Sequence, residues 1–164
     1  MTRSFPLAAV VVVLGTTAFS PAAIAQGQTW RLTCSNHGNA VPEPLGDRPG
    51  HALQVAESTC TVAGGPLDGG VTSQHVIWEI DGAKWTLLVS TSITRRPDGR
   101  LLGLNTVGTL DMQMQDGRPV GWTASGQCKV ALASGKAAAL EGKAFTWTGR
   151  TTGPGVNTVE VTMP

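Results

Sequence analysis

The stretch LNTVGTLDMQMQDGRPVGWTASGQCKVAL, residues 104–132, decides the fold. In its first half Leu104, Thr106, Gly108, Leu110, Met112 and Met114 fall on one face, and Asn105, Val107, Thr109, Asp111, Gln113 and Gln115 fall on the other. A period of two marks a β-strand with one dry side, because successive side chains project to opposite surfaces. Asp116-Gly117 then reverses the chain. A type I′ turn needs positive φ at both central residues, which Gly adopts freely and Asp tolerates. The second half alternates again, with Val120, Trp122, Ala124, Gly126, Cys128, Val130 and Leu132 on the apolar side.

Three further Asp-Gly pairs, Asp68-Gly69, Asp81-Gly82 and Asp98-Gly99, punctuate the chain in the same manner. Val76, Trp78 and Ile80 lead across Asp81-Gly82 to Trp85, Leu87, Val89, Thr91 and Ile93, so these two segments are expected to pair as a hairpin. Segments 29–35, 53–63, 145–150 and 156–163 complete the set, and no segment has a helical period. The expected fold is all-β, a single antiparallel up-and-down barrel of about eight strands, the number at which a sheet closes around a filled or small-ligand interior. Closure also hides the sheet edges. Residues 37–50, with Pro42, Pro44 and Pro49, read as a long loop over one mouth.

Residues 1–25 have the parts of a secretory signal: Arg3, an apolar stretch from Leu7 to Leu14, and the small-residue site Ala23-Ile24-Ala25. Cleavage there leaves 139 of the 164 residues, 26–164, as one barrel domain, secreted or periplasmic. The apolar stretch falls well short of the roughly 20 residues that span a bilayer, so no membrane anchor is expected. A membrane-embedded barrel is disfavoured too, since aromatic residues make up 5% of the chain and form no girdle. The formal net charge is +1 and neither sign forms a run, which excludes an electrostatic footprint for nucleic acid.

The segment Gly135-Lys136-Ala137-Ala138-Ala139-Leu140-Glu141-Gly142-Lys143 resembles the late connector of allene-oxide-cyclase-like and dirigent-like barrels, calycin-like folds in which a short Gly/Ala-rich link feeds the next strand. That resemblance implies an eight-stranded barrel with a central apolar cavity for a lipid-like or phenolic molecule. It carries no catalytic residue across.

Three cysteines in an exported chain suggest one disulfide and one leftover thiol. Cys34–Cys60 is the preferred pair, because both lie near strands flanking the Pro-rich loop and a bridge there would remove about 3 kcal/mol of unfolded-state freedom in the chain-entropy account. Cys60–Cys128 is the alternative. Cys128 itself sits on a dry face, where burial raises a thiol's pKa and makes it inert.

Glu57 is the one carboxylate to watch. If Leu53 and Val55 face inward, alternation brings Glu57 inside as a proton-transfer group, whereas if Cys60 faces inward Glu57 is solvated. His37, His51 and His75 are spaced too widely for a local metal motif, so no metal is expected, and His75 shares a wet face with Glu79 and Asp81. The run Gly64-Gly65-Pro66-Leu67-Asp68-Gly69-Gly70 lacks the Lys-Ser/Thr of a phosphate loop and reads as a turn. No motif implies a cofactor, and no oligomeric state is implied. Five Trp and no Tyr is unusual, and Trp78, Trp85, Trp122 and Trp147 either fill the core or stack on a ligand. The reading is an exported barrel that binds a small apolar molecule without chemistry. Its competitors are a cyclase- or isomerase-like enzyme using Glu57 and a secreted protein-binding or inhibitor module.

Overall fold

The computed structural model describes residues 28–37 and 41–163; the expected signal segment, 1–25, lies outside them. Nine strands follow in chain order: β1 (Thr29–Asn36), β2 (Glu43–Pro44), β3 (His51–Ala63), β4 (Val71–Asp81), β5 (Lys84–Arg96), β6 (Gly99–Gln115), β7 (Arg118–Gly135), β8 (Ala144–Gly153) and β9 (Val156–Thr162). Among the described residues the only helical element is the 3₁₀ turn Ala138–Leu140. Each long strand is antiparallel to its successor, and β1 pairs with both β9 and β3. Eight strands therefore close an up-and-down barrel, with β2 as a two-residue addition beside β3.

The seam of that closure is the β1–β3 ladder, in which Cys34 stands directly opposite Cys60 and is joined to it by a disulfide. Both half-cystines are almost fully buried. The expected loop over one mouth is placed differently. In its described part, β2 pairs with Leu53 and Ala52, the Leu45 amide bonds to the His51 carbonyl, and Arg48 bridges to Asp81, so the segment lies along β3 and β4 instead of across an opening.

The four Asp-Gly pairs make different turns. Only Asp116-Gly117 fills both central positions with positive φ, 51° and 73°. At the β4–β5 turn the central residues are Gly82 and Ala83, since Asp81 pairs with Lys84. At the β5–β6 turn they are Pro97 and Asp98, since Arg96 pairs with Gly99. Proline's ring fixes φ near −65°, so a type I′ turn could not form there.

Strict alternation fails in the longest strands. Between β4 and β5 the register passes from Ile77↔Val89 to Trp78↔Leu87, leaving Leu88 as an extra residue. Further shifts interrupt β6–β7 at Leu102/Gly103 and Asn105/Val107. Each inserted residue reverses which side chains point inward. Trp85 and Leu87 face in as expected, but beyond the bulge Ser90, Ser92 and Thr94 take the inside, and Val89 and Ile93 turn out. In β6, Asn105 faces in and Leu104 faces out; in β7, Leu132 is turned out at 61% exposure. The paired positions Val55, Ile77 and Val89, and likewise Ile93, Leu102 and Leu132, thus form apolar rows on the outer surface.

One end of the barrel is sealed. Leu67 from the Gly64–Gly70 loop and Ala137 and Leu140 from the 136–143 connector pack with Val130, Phe145 and Met163. Trp30 meets Phe145 edge to face, with ring centroids 5.0 Å apart. The glycine-rich run is a pinned turn: the Gly64 amide donates to Asp68 Oδ1 at 2.7 Å, and Arg96 reaches the Asp68 carbonyl. Asp98 completes the tie, accepting Lys136 at 2.7 Å, which holds its carboxyl below the ordinary aspartate value.

Three indoles lie on glycines. A Cβ on Gly65 would meet Trp30 at 3.3 Å, one on Gly149 would meet Trp122 at 3.0 Å, and one on Gly126 would meet Trp147 at 2.6 Å and also strike the Val107 carbonyl. Gly126→Ala should therefore cost about 3 kcal/mol by urea denaturation, at the upper end of overpacking penalties. Gly153→Ala, where nothing lies within 4 Å, is the near-neutral control. Replacing Cys34 and Cys60 by Ser should lower stability by about 3 kcal/mol, as expected for closing a 26-residue separation, and make the remaining stability insensitive to reductant.

Candidate functional site

Above the floor the barrel encloses a cavity of about 720 Å³. Asn36 and Gly155 stand on its far rim, where β1 ends and β9 begins. Among the described residues no Asp, Glu, Lys, Arg or His lines it. The bulges explain the lining: the upper parts of β4 to β7 bring in Trp78, Trp85, Leu87, Met112 and Trp122, and the lower parts bring in hydroxyls and amides.

All four tryptophans singled out in the sequence line this space. Trp78 is buried at 7% exposure beside Leu87, Leu110 and Ala124, while Trp85, Trp122 and Trp147 are partly buried against that cluster. Trp147 is held by packing alone: its Nε1 is buried with no hydrogen-bond partner among the described residues. Leaving such a donor unpaired costs about 1–3 kcal/mol, so the contact with Gly126 and Gly108 must outweigh that loss.

The polar side chains form a belt across neighbouring strands. Ser58, Gln74, Ser92 and Gly103 stand in successive register on β3, β4, β5 and β6, and Ser90, Asn105 and Cys128 do so on β5, β6 and β7. Asn105 Nδ2 donates to Ser90 Oγ at 2.7 Å, and the Thr72 and Thr94 hydroxyls are 2.8 Å apart. At the rim, Asn157 Nδ2 donates to Asn36 Oδ1 at 2.9 Å. Cys128 remains a free thiol, and burial pushes its pKa up to about 11, so it is neutral at physiological pH. The sequence carried no sign of this belt, because the bulges that create it leave no residue signature.

Glu57 is not part of the cavity. β3 runs without a register shift, so Cys60 facing inward puts Ser58, Ala56 and Gln54 inside and Glu57 outside, where it meets His75 at 3.1 Å. The second of the two registers weighed from the sequence is the one adopted. Among the described residues no three His, Cys, Asp or Glu side chains converge as a metal site would require.

The charged groups gather instead on the outer wall. His51 is nearly buried and bridges Asp47, 2.6 Å from Nδ1, and Glu79, 3.0 Å from Nε2. Arg48 bridges Asp47 at 2.7 Å and Asp81 at 2.8 Å. Glu79 and Asp47 raise the His51 pKa; His51 in turn lowers that of Asp47, and Arg48 lowers that of Asp81. These contacts fasten the 41–50 segment to the ends of β3 and β4.

No protein-family model matches this chain, and a search of curated proteins finds none significantly similar to it. Among the described residues no helix is long and apolar enough to cross a membrane.

A histidine whose pKa is raised on folding stabilises fully below its unfolded value and loses that contribution as pH rises through the folded value. The 41–50 segment should therefore be most protected from amide exchange below about pH 6.5 and loosen as the pH climbs above it. His51→Gln should flatten that profile, read by hydrogen exchange on Leu45 and Gly82, whose amides bond to the His51 and Gly50 carbonyls.

Proposed function

We propose that this protein is an exported β-barrel that binds one small, largely apolar molecule in its interior and does not transform it. The observation that carries the reading is a cavity of about 720 Å³, sealed at one end and, among the described residues, lined by no ionisable group that changes charge near neutral pH. Small-molecule sites run from about 300 to 1,000 Å³, are mostly apolar, and hold a few placed polar groups. Acid–base chemistry needs a titrating group within reach of the reacting atoms, and Glu57, on which a cyclase-like mechanism would rest, is outside.

Export is supported by the signal-like residues 1–25 and by the Cys34–Cys60 bridge, which persists in oxidising compartments. Kinship with allene-oxide-cyclase-like and dirigent-like barrels belongs to the same proposal. The segment that carries the likeness, 135–143, is the one whose Ala137 and Leu140 close the floor.

Native mass spectrometry of protein recovered from its own compartment should reveal a bound species of one per chain, lost in Ala56→Trp, which puts an indole into the cavity from β3. Recovery of empty protein, together with an Ala56→Trp variant that behaves identically toward all added hydrophobes, would refute the binding role.

A further inference from the structure

The cavity has two unlike walls. Below the rim, where Asn157 of β9 and Asn36 of β1 bond to each other, β8, β9 and β1 contribute Phe145, Trp147, Val159 and Leu32, whereas the middle of β3 to β6, facing them in the strand order, contributes hydroxyls and amides. Part of that polar wall is not consumed by the protein. Ser92 makes no side-chain hydrogen bond among the described residues, and Asn105 uses one amide hydrogen on Ser90, keeping its carbonyl oxygen free of any side-chain donor there. Gly103 deepens the wall between them: a Cβ there would meet Ser92 Oγ at 2.6 Å and Cys128 Sγ at 3.0 Å. A donor or acceptor that is open to the chamber must give up its water to an apolar guest, so a guest that pairs with it is favoured over one that does not.

From this, and resting on the binding role proposed above, we infer that the ligand is an electrically neutral molecule with a flat apolar body and a hydroxyl, carbonyl or amide edge, the edge held by Ser92 and Asn105 and the body by the Trp147 wall. Neutrality follows from the lining: a carboxylate, sulfonate or ammonium would enter a low-dielectric space that offers no counter-charge among the described residues. One-sidedness follows from the register, which gathers the accessible unpaired groups, Ser92 and the Asn105 carbonyl, on neighbouring strands; the unpaired Trp147 Nε1 of the opposite wall is itself buried and out of a guest's reach.

Three probes of common skeleton separate the possibilities: pyrene, 1-pyrenemethanol and 1-pyrenesulfonate, each titrated into the intact protein and read by energy transfer from the cavity tryptophans. 1-Pyrenemethanol should bind about tenfold more tightly than pyrene, the gain of one or two neutral hydrogen bonds. 1-Pyrenesulfonate should bind at least about a hundredfold more weakly than 1-pyrenemethanol. Ser92→Ala combined with Asn105→Leu should bring 1-pyrenemethanol to parity with pyrene, with circular dichroism and the urea midpoint certifying that the variant is folded. Ser92→Ala alone serves if the double variant does not fold, with a smaller loss for 1-pyrenemethanol only. Equal, saturable binding of pyrene and 1-pyrenemethanol to the unaltered protein would overturn the polar-edge assignment and leave the binding role standing. Tightest binding of the sulfonate would overturn neutrality, and no saturable binding of any probe would overturn both the assignment and the role beneath it.

Discussion

The pairing of β1 with β3 is the constraint on which the molecule depends. Until those strands meet, the other ladders describe an open sheet with two free edges and a solvated concave face. Once they meet, each of the eight barrel strands has a neighbour on both sides and the inner face becomes an interior. Six register pairs make the seam, and the disulfide crosses it from within, between half-cystines that are almost wholly shielded. The Pro-rich connection is thus short-circuited at its base. The Arg48 and His51 contacts hold its described part to the outer wall, so the ends of β1 and β3 are fixed on both sides of the barrel.

Closure makes the direction of each side chain consequential, and the bulges set that direction. A barrel of uninterrupted alternation in β5 would have buried Val89 and Ile93 and wetted Ser90 and Ser92. The extra residue at Leu88 exchanges them. The interior gives up apolar volume and gains hydroxyls, some of which satisfy each other, as Thr72 and Thr94 do. The same exchange puts valine, isoleucine and leucine on the outer surface. A small domain tolerates it because the two dry clusters, one at the floor and one around Trp78 and Leu87, remain intact above and below the belt.

Which parts were legible follows from the same geometry. The fold class, the number of strands and the Ile80↔Trp85 hairpin could be read because period-two patterning and turn residues are local properties. The Cys34–Cys60 bridge was preferred over its alternative from the loop it closes, and it spans the seam as well. Trp85 reached the interior because it precedes the Leu88 shift and Trp147 because no shift precedes it in β8, whereas Trp122 lies just beyond the shift that leaves Val120 extra and Trp78 at the edge of the Leu88 one. Ser92, Asn105 and Gln74 stayed invisible as cavity residues. A bulge depends on how two strands settle against one another, and neither strand's sequence alone records the slip. Glu57 illustrates the converse: two registers were readable, and only the partner across the seam, Cys34, selects between them.

Among the described residues, the plug formed by Leu67, Ala137 and Leu140 leaves the chamber one doorway, at the far rim. Whatever occupies it must leave by the way it came, past Asn36 and Gly155. For a guest of the kind proposed, alterations at that threshold would speed or slow arrival and departure together and leave equilibrium affinity to the contacts in the depths.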